Sequence, residues 1–119
     1  MAETFAWVLE AKVKDGKRDD LLDVLEDVVE DTKWAAGILN FQYYLADDGD
    51  VLVHARLLNA SSAHQLLDAW QACLARWLEA VEPTRVVHLG EVPDDVRARQ
   101  QTPQTVWLRE SGGFAKMPF

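Results

Sequence analysis

Residues 4–58 constrain this chain more than any other stretch, because they read strand, helix, strand, strand, and no strand among them has a fully polar face. In 4–13, Phe5, Trp7, Leu9, Ala11 and Val13 alternate with Ala6, Val8, Glu10 and Lys12. That period of two, with aromatics on one side, marks a half-buried strand. In 38–45, Leu39, Phe41, Tyr43 and Leu45 oppose Ile38, Asn40, Gln42 and Tyr44. In 51–58, Val51, Val53, Ala55 and Leu57 oppose Leu52, His54, Arg56 and Leu58. The acidic turn Asp47-Asp48-Gly49-Asp50 joins the last two as a hairpin. A strand apolar on both faces is central or covered on both sides. Such a half-domain needs a second helix, a fourth strand and a cover for the remaining face.

The rest of the chain supplies these parts. The first helix is expected over 19–34, with Asp19 and Asp20 where the macrodipole favours negative charge. Its apolar stripe is Leu21, Leu25, Val28 and Thr32, widened by Leu22 and Val29, and Gly37 falls where the helix would end. Asn59, Ser61 or Ser62 caps a second helix. Leu66, Leu67, Trp70, Leu74, Trp77, Leu78 and Val81 give that helix a band wide enough for a sheet plus one further contact. Pro83 ends it, and the β-branched run 84–89 makes a fourth strand closed by Gly90. Pro93 opens a short helix over 94–99, and 105–108 reads as a short strand. Trp107, Phe114, Met117 and Phe119 would expose too much apolar surface in a free tail, so the tail is expected to dock, with Trp107 and Phe114 as anchors.

The order β-α-β-β-α-β defines an α+β, ferredoxin-like arrangement. It divides the chain into a ferredoxin-like domain, 1–91, and a C-terminal extension, 92–119, that docks on the barrel or on a partner chain. Helices cover one face of such a sheet, and a twofold homodimer of facing sheets would cover the other.

Charge narrows the function classes. Lys plus Arg is 12 against 20 Asp plus Glu, a formal net charge of −8. This argues against a nucleic-acid surface, which needs clustered cations, and against an anionic membrane surface. No leader pattern and no bilayer-length apolar run is read. Cys73 is the lone cysteine, so no intrachain disulfide forms, which fits a reducing cytoplasm. The three histidines are scattered without ligand spacing, and no metal site is expected.

At its junctions the chain resembles the antibiotic biosynthesis monooxygenase family, whose members are dimeric α+β barrels. The similar stretches are Val13-Lys14-Asp15-Gly16-Lys17, Gly37-Ile38-Leu39-Asn40-Phe41, and Val53-His54-Ala55-Arg56-Leu57 continuing to Ser61-Ser62, so the resemblance spans about residues 4–90. It implies oxygenation of small aromatic or quinol-like substrates by molecular oxygen with no cofactor, in a flat apolar pocket between sheet and helices of a homodimer. The chain departs from the family pattern where members carry a strand-three Glu, then a Trp or Tyr, and a helix His. Ala55, Leu57 and Leu66 stand there.

The chemistry asks for a base near neutral pKa, because a deprotonated ring is a better electron donor. His54 is the first candidate base, since imidazole ordinarily titrates near neutrality. Arg56 shares its face and could hold an anionic oxygen. Trp7, Phe41, Tyr43, Trp70 and Trp77 would clamp a planar ring, with His88 beside them. The same residues also read as core and dimer-face packing. Two readings therefore stand: a cofactor-independent monooxygenase, or a non-catalytic dimeric module that binds a hydrophobic small molecule. A cyclase or isomerase on the same scaffold is a third, because fold alone does not choose between chemistries.

Overall fold

The structure, a computed structural model, describes residues 4–114. Its elements are β1 (Phe5–Val13), α1 (Arg18–Thr32), β2 (Ile38–Leu45), β3 (Asp50–Leu57), α2 (Ala60–Ala80), β4 (Val81–Leu89), α3 (Asp94–Gln100) and β5 (Thr105–Leu108). They form one five-stranded sheet in the order β2-β3-β1-β4-β5. β1 lies at its centre, antiparallel to β3 on one side and to β4 on the other. β5 runs parallel to β4, pairing Val86 with Thr105 through to Leu89 with Leu108. The first four strands and two helices are the expected ferredoxin-like unit, and α3 with β5 continues the same sheet.

α1 and α2 pack on one face of the sheet, over Phe5, Trp7, Ala11, Val51, Val53, Ala55 and Leu57. The buried positions alternate strictly along β3, so His54 and Arg56, which lie between them, face the other way. α2 starts at Asn59, whose Oδ1 accepts from the Ser62 amide at 2.9 Å while the Asn59 amide donates to Ser62 Oγ at 3.2 Å. This reciprocal cap satisfies two donors at once.

Several details differ from expectation. Gly37 does not close α1 with a left-handed residue; α1 stops at Thr32, and a Cβ on Gly37 would meet Ser62 Cβ at 2.7 Å. Its place is fixed by close approach of β2 to the start of α2. The register of β2 against β3 shifts between Ile38 and Asn40, so Ile38 rather than Leu39 packs on the core with Phe41, Tyr43 and Leu45. Pro83 lies inside β4, which begins at Val81, beside a register shift opposite Glu10 and Ala11. A bulge tolerates a residue without an amide proton, so the proline does not stop the strand. On α1, Val24 joins the buried stripe in place of Leu22 and Val29. On α2, the small residues Ala63, Ala69, Cys73 and Ala80 are buried with Leu66, Trp70 and Trp77. Leu74 and Leu78 are 47% and 43% exposed.

The extension docks on its own chain. Val96 of α3 is buried and Trp107 of β5 packs against the core. Phe114, the other expected anchor, is 85% exposed. Met117 and Phe119 lie outside the described residues. Among the described residues no helix is long and apolar enough to cross a membrane.

Candidate functional site

The wide apolar band on α2 makes two contacts with different neighbours. Its inner half sits on the sheet. Its outer half borders a cleft of about 640 Å³ between α2, the strands and the extension. β1 and β4 form the floor with Trp7, Leu9, Pro83 and Val86. α2 forms an apolar wall with Leu67, Trp70, Leu74, Trp77 and Leu78, interrupted by Gln71. The end of α3, with Arg99 and Gln100, and the segment that links it to β5, with Thr102 and Gln104, form a polar wall. Apolar walls with a few placed polar groups are the usual make-up of a small-molecule site.

Of the five aromatics expected to clamp a ring, Trp7, Trp70 and Trp77 line this one cavity. Trp70 contacts Trp77 edge-on at 5.0 Å, and Phe41 lies behind Trp70 at 6.0 Å between ring centroids. Tyr43 is one step further out, 6.4 Å from Phe41, with its hydroxyl donating to Glu26 Oε2 at 3.3 Å. Desolvation first, then the nearby Glu26 charge, raises the Tyr43 pKa. Neither Phe41 nor Tyr43 reaches the cleft wall.

His88 is fully buried behind Trp7. Its ring packs edge-on to Trp7 at 5.6 Å and stacks on Trp107 at 4.3 Å. Arg97 covers the far side of Trp107 at 4.2 Å from the ring centroid. Neither ring nitrogen of His88 has a hydrogen-bond partner among the described residues. Burial, and secondarily the Arg97 charge, depresses its pKa to about 4, so the imidazole is neutral at pH 7.

His54 and Arg56 are not in this cleft. His54 sits beside Val8 and Gln42, and Arg56 beside Ala6 and Asn40, all on the outer face of the sheet. Arg56 Nη1 donates to Thr4 Oγ1 at 3.0 Å. Burial, then the Arg56 charge, lowers the His54 pKa. The sheet therefore separates the expected base and anion holder from the expected ring clamp. Side chains of adjacent residues in a strand point to opposite faces, and the even-numbered positions of β3 belong to the outer one.

A third histidine, His64, links α2 to α3. Its Nε2 lies 2.8 Å from Asp95 Oδ2, and its Nδ1 lies 3.0 Å from Arg99 Nη1. Arg99 Nη2 also donates to Asp68 Oδ1 at 3.0 Å and to Gln71 Oε1 at 3.4 Å. The hydrogen bond with His64 holds the Asp95 carboxyl below its ordinary pKa. The i, i+4, i+7 arrangement of His64, Asp68 and Gln71 was the available signal for this clasp; Thr102 and Gln104 of the polar wall had none, because they lie in an irregular segment. Among the described residues, no three His, Cys, Asp or Glu side chains converge as metal ligands would.

The geometry matches a known architecture. The chain has the α+β ferredoxin-like fold of antibiotic biosynthesis monooxygenase-like proteins. It superimposes on MupZ from Pseudomonas fluorescens with a TM-score of 0.82 at 10% identity, covering 96% of this chain and 95% of that one. A candidate antibiotic biosynthesis monooxygenase from Caulobacter crescentus gives 0.66 at 18% identity, over 77% of this chain and 92% of that one. One from Nitrosomonas europaea gives 0.66 at 13%, over 79% and 95%. The two monooxygenase matches leave about a fifth of this chain uncovered, whereas the MupZ match extends over nearly all of it. No protein-family model matches the sequence, and no curated protein matches it.

Proposed function

We propose that this protein binds a small aromatic or otherwise hydrophobic molecule in the cleft between α2, the sheet and the extension. One observation carries the reading: three tryptophans and the exposed Leu74 and Leu78 line a single cleft of about 640 Å³. The tryptophans are already buried, so the surface a ligand covers is chiefly that of Leu74 and Leu78, and burying it is favourable at roughly 25 cal/mol per Å² of apolar area. The ligand's ring packs against the wall that Leu74, Leu78, Trp70 and Trp77 form, and its oxygen atoms face Gln100, Thr102 and Gln104.

A second reading, favoured by the fold shared with candidate antibiotic biosynthesis monooxygenases, is oxygenation of that ligand without a cofactor. With an anthrone, the ring methylene becomes a carbonyl; one atom of molecular oxygen is retained and the other leaves as water. The substrate supplies the electrons. Under this reading the base is not His54. His54 and Arg56 belong instead to the outer sheet face, where the half-buried Val8, Leu52 and Leu89 offer apolar surface to a second copy of the chain. The assembly is a homodimer, and the lone buried Cys73 accords with a cytoplasmic location.

The test is a titration with anthrone and 1,4-dihydroxynaphthalene, followed by tryptophan emission and by an oxygen electrode. Saturable quenching that Leu74→Arg abolishes is the expected result. Quenching that Leu74→Arg leaves intact removes the cleft as the site. Oxygen uptake above the spontaneous rate, in proportion to protein and insensitive to His54→Ala, supports the second reading; binding without uptake leaves the binding module.

A further inference from the structure

Among the described residues that line the cleft, Arg99 alone carries a charge. Its guanidinium is held from one side. Nη1 donates to His64 Nδ1, and Nη2 donates to Asp68 Oδ1 and Gln71 Oε1. Arginine has only donors to offer, so His64 Nδ1 must accept, and the proton of the neutral ring sits on Nε2, facing Asp95. The chain Asp95–His64–Arg99 is therefore ordered end to end. Three of the five N–H donors of a guanidinium are engaged in it, and the others remain for a ligand.

The rest of the lining is apolar or neutral: three tryptophans, Leu67, Leu74, Leu78 and the amide and hydroxyl side chains of the polar wall. A fixed cation beside apolar walls attracts an anion more strongly than the same cation in bulk water. From this we propose that the ligand is a hydrophobic monoanion, a carboxylate, phenolate or enolate on an apolar ring, with its charged oxygen on Arg99. The proposal rests on the cleft-binding reading and names the class of molecule that the cleft selects. Asp68 competes with the ligand for the same guanidinium, and its carboxylate is 71% exposed, so its removal does not disturb the core.

The experiment is calorimetric titration with 2-naphthoate and its neutral isostere 2-naphthamide. Wild type is expected to bind naphthoate about tenfold more tightly, the scale of one charge-assisted hydrogen bond. Arg99→Gln erases that preference and leaves naphthamide affinity within about twofold. Asp68→Asn raises naphthoate affinity severalfold without moving naphthamide, an increase that a structural role for Arg99 does not produce. Equal binding of the two probes, or equal weakening of both by Arg99→Gln, overturns the anion proposal and leaves cleft binding standing. Binding of neither probe overturns both. Should Arg99→Gln fail to fold, Asp68→Asn decides, and an unchanged naphthoate affinity there overturns the proposal.

Discussion

His88 offers the sharpest test of the physical account. It is a fully buried imidazole with no hydrogen-bond partner at either nitrogen among the described residues, pressed between Trp7 and Trp107. In the unfolded chain it protonates below its ordinary pKa of about 6.5. In the folded chain it resists protonation until about pH 4. Between those values the unfolded state holds more protons, so stability that is complete above about pH 6.5 falls as acid is added and levels off below about pH 4. The linkage relation gives a loss of about 2 kcal/mol at pH 5 relative to pH 8, and about 3 kcal/mol once both forms are protonated. With an unfolding entropy of about 2.1 cal/mol/K per residue, a 119-residue chain should lose about 8 °C in Tm between pH 8 and pH 5 from this group. His88→Leu replaces the ring by an apolar side chain of similar volume and deletes the titration. Scanning calorimetry of both proteins at pH 8 and pH 5 isolates the effect. Every other ionisable group is common to both proteins and cancels in the comparison. If the two proteins lose Tm in parallel, burial of a neutral His88 is not what makes the fold acid-sensitive, and the reasoning fails.

Two further outcomes are expected. Gly37→Ala should cost about 1–3 kcal/mol by urea denaturation, because its new methyl must displace Ser62 Cβ, 2.7 Å away. Ser62→Ala should not relieve that cost, since the clashing atom remains; full relief would mean the contact is not the cause. Val8→Lys, on the outer face beside His54 and Val87, should convert a homodimer to monomers in sedimentation equilibrium at micromolar concentration. A wild-type monomer under the same conditions would sink the homodimer outright.

Most of the fold was legible because periodicity is a local property. The alternation in β1 and β3, the hairpin glycine and the Asn59 cap each report on neighbours within a few residues. The misreadings came from places where packing between distant segments overrides local pattern. Leu39 alternates correctly with Phe41, yet a bulge against β3 hands its place to Ile38. Pro83 breaks a helix in isolation, yet lies in a strand because a bulge there needs no amide. The site was half legible for the same reason. Trp70 and Trp77 share a helix face that spacing reveals. Arg99 enters the cleft through the docking of α3 on α2, and Thr102 and Gln104 through the path of the chain between α3 and β5, neither of which any periodicity encodes. His54 misled because chemistry drew attention to a side chain whose position in β3 had already assigned it to the opposite face.

The central position of β1 has a consequence for synthesis. One of its edges pairs with β3, but the other pairs with residues 81–89, which emerge from the ribosome some seventy residues later. Contacts this distant in sequence are slow to form, because the intervening chain must first be ordered. Until β4 arrives, a strand bearing Phe5 and Trp7 presents an open edge, the template on which unrelated chains aggregate. β5 in turn has nowhere to pair until β4 is seated, so the polar wall of the cleft is assembled last, after every strand it depends on is in place.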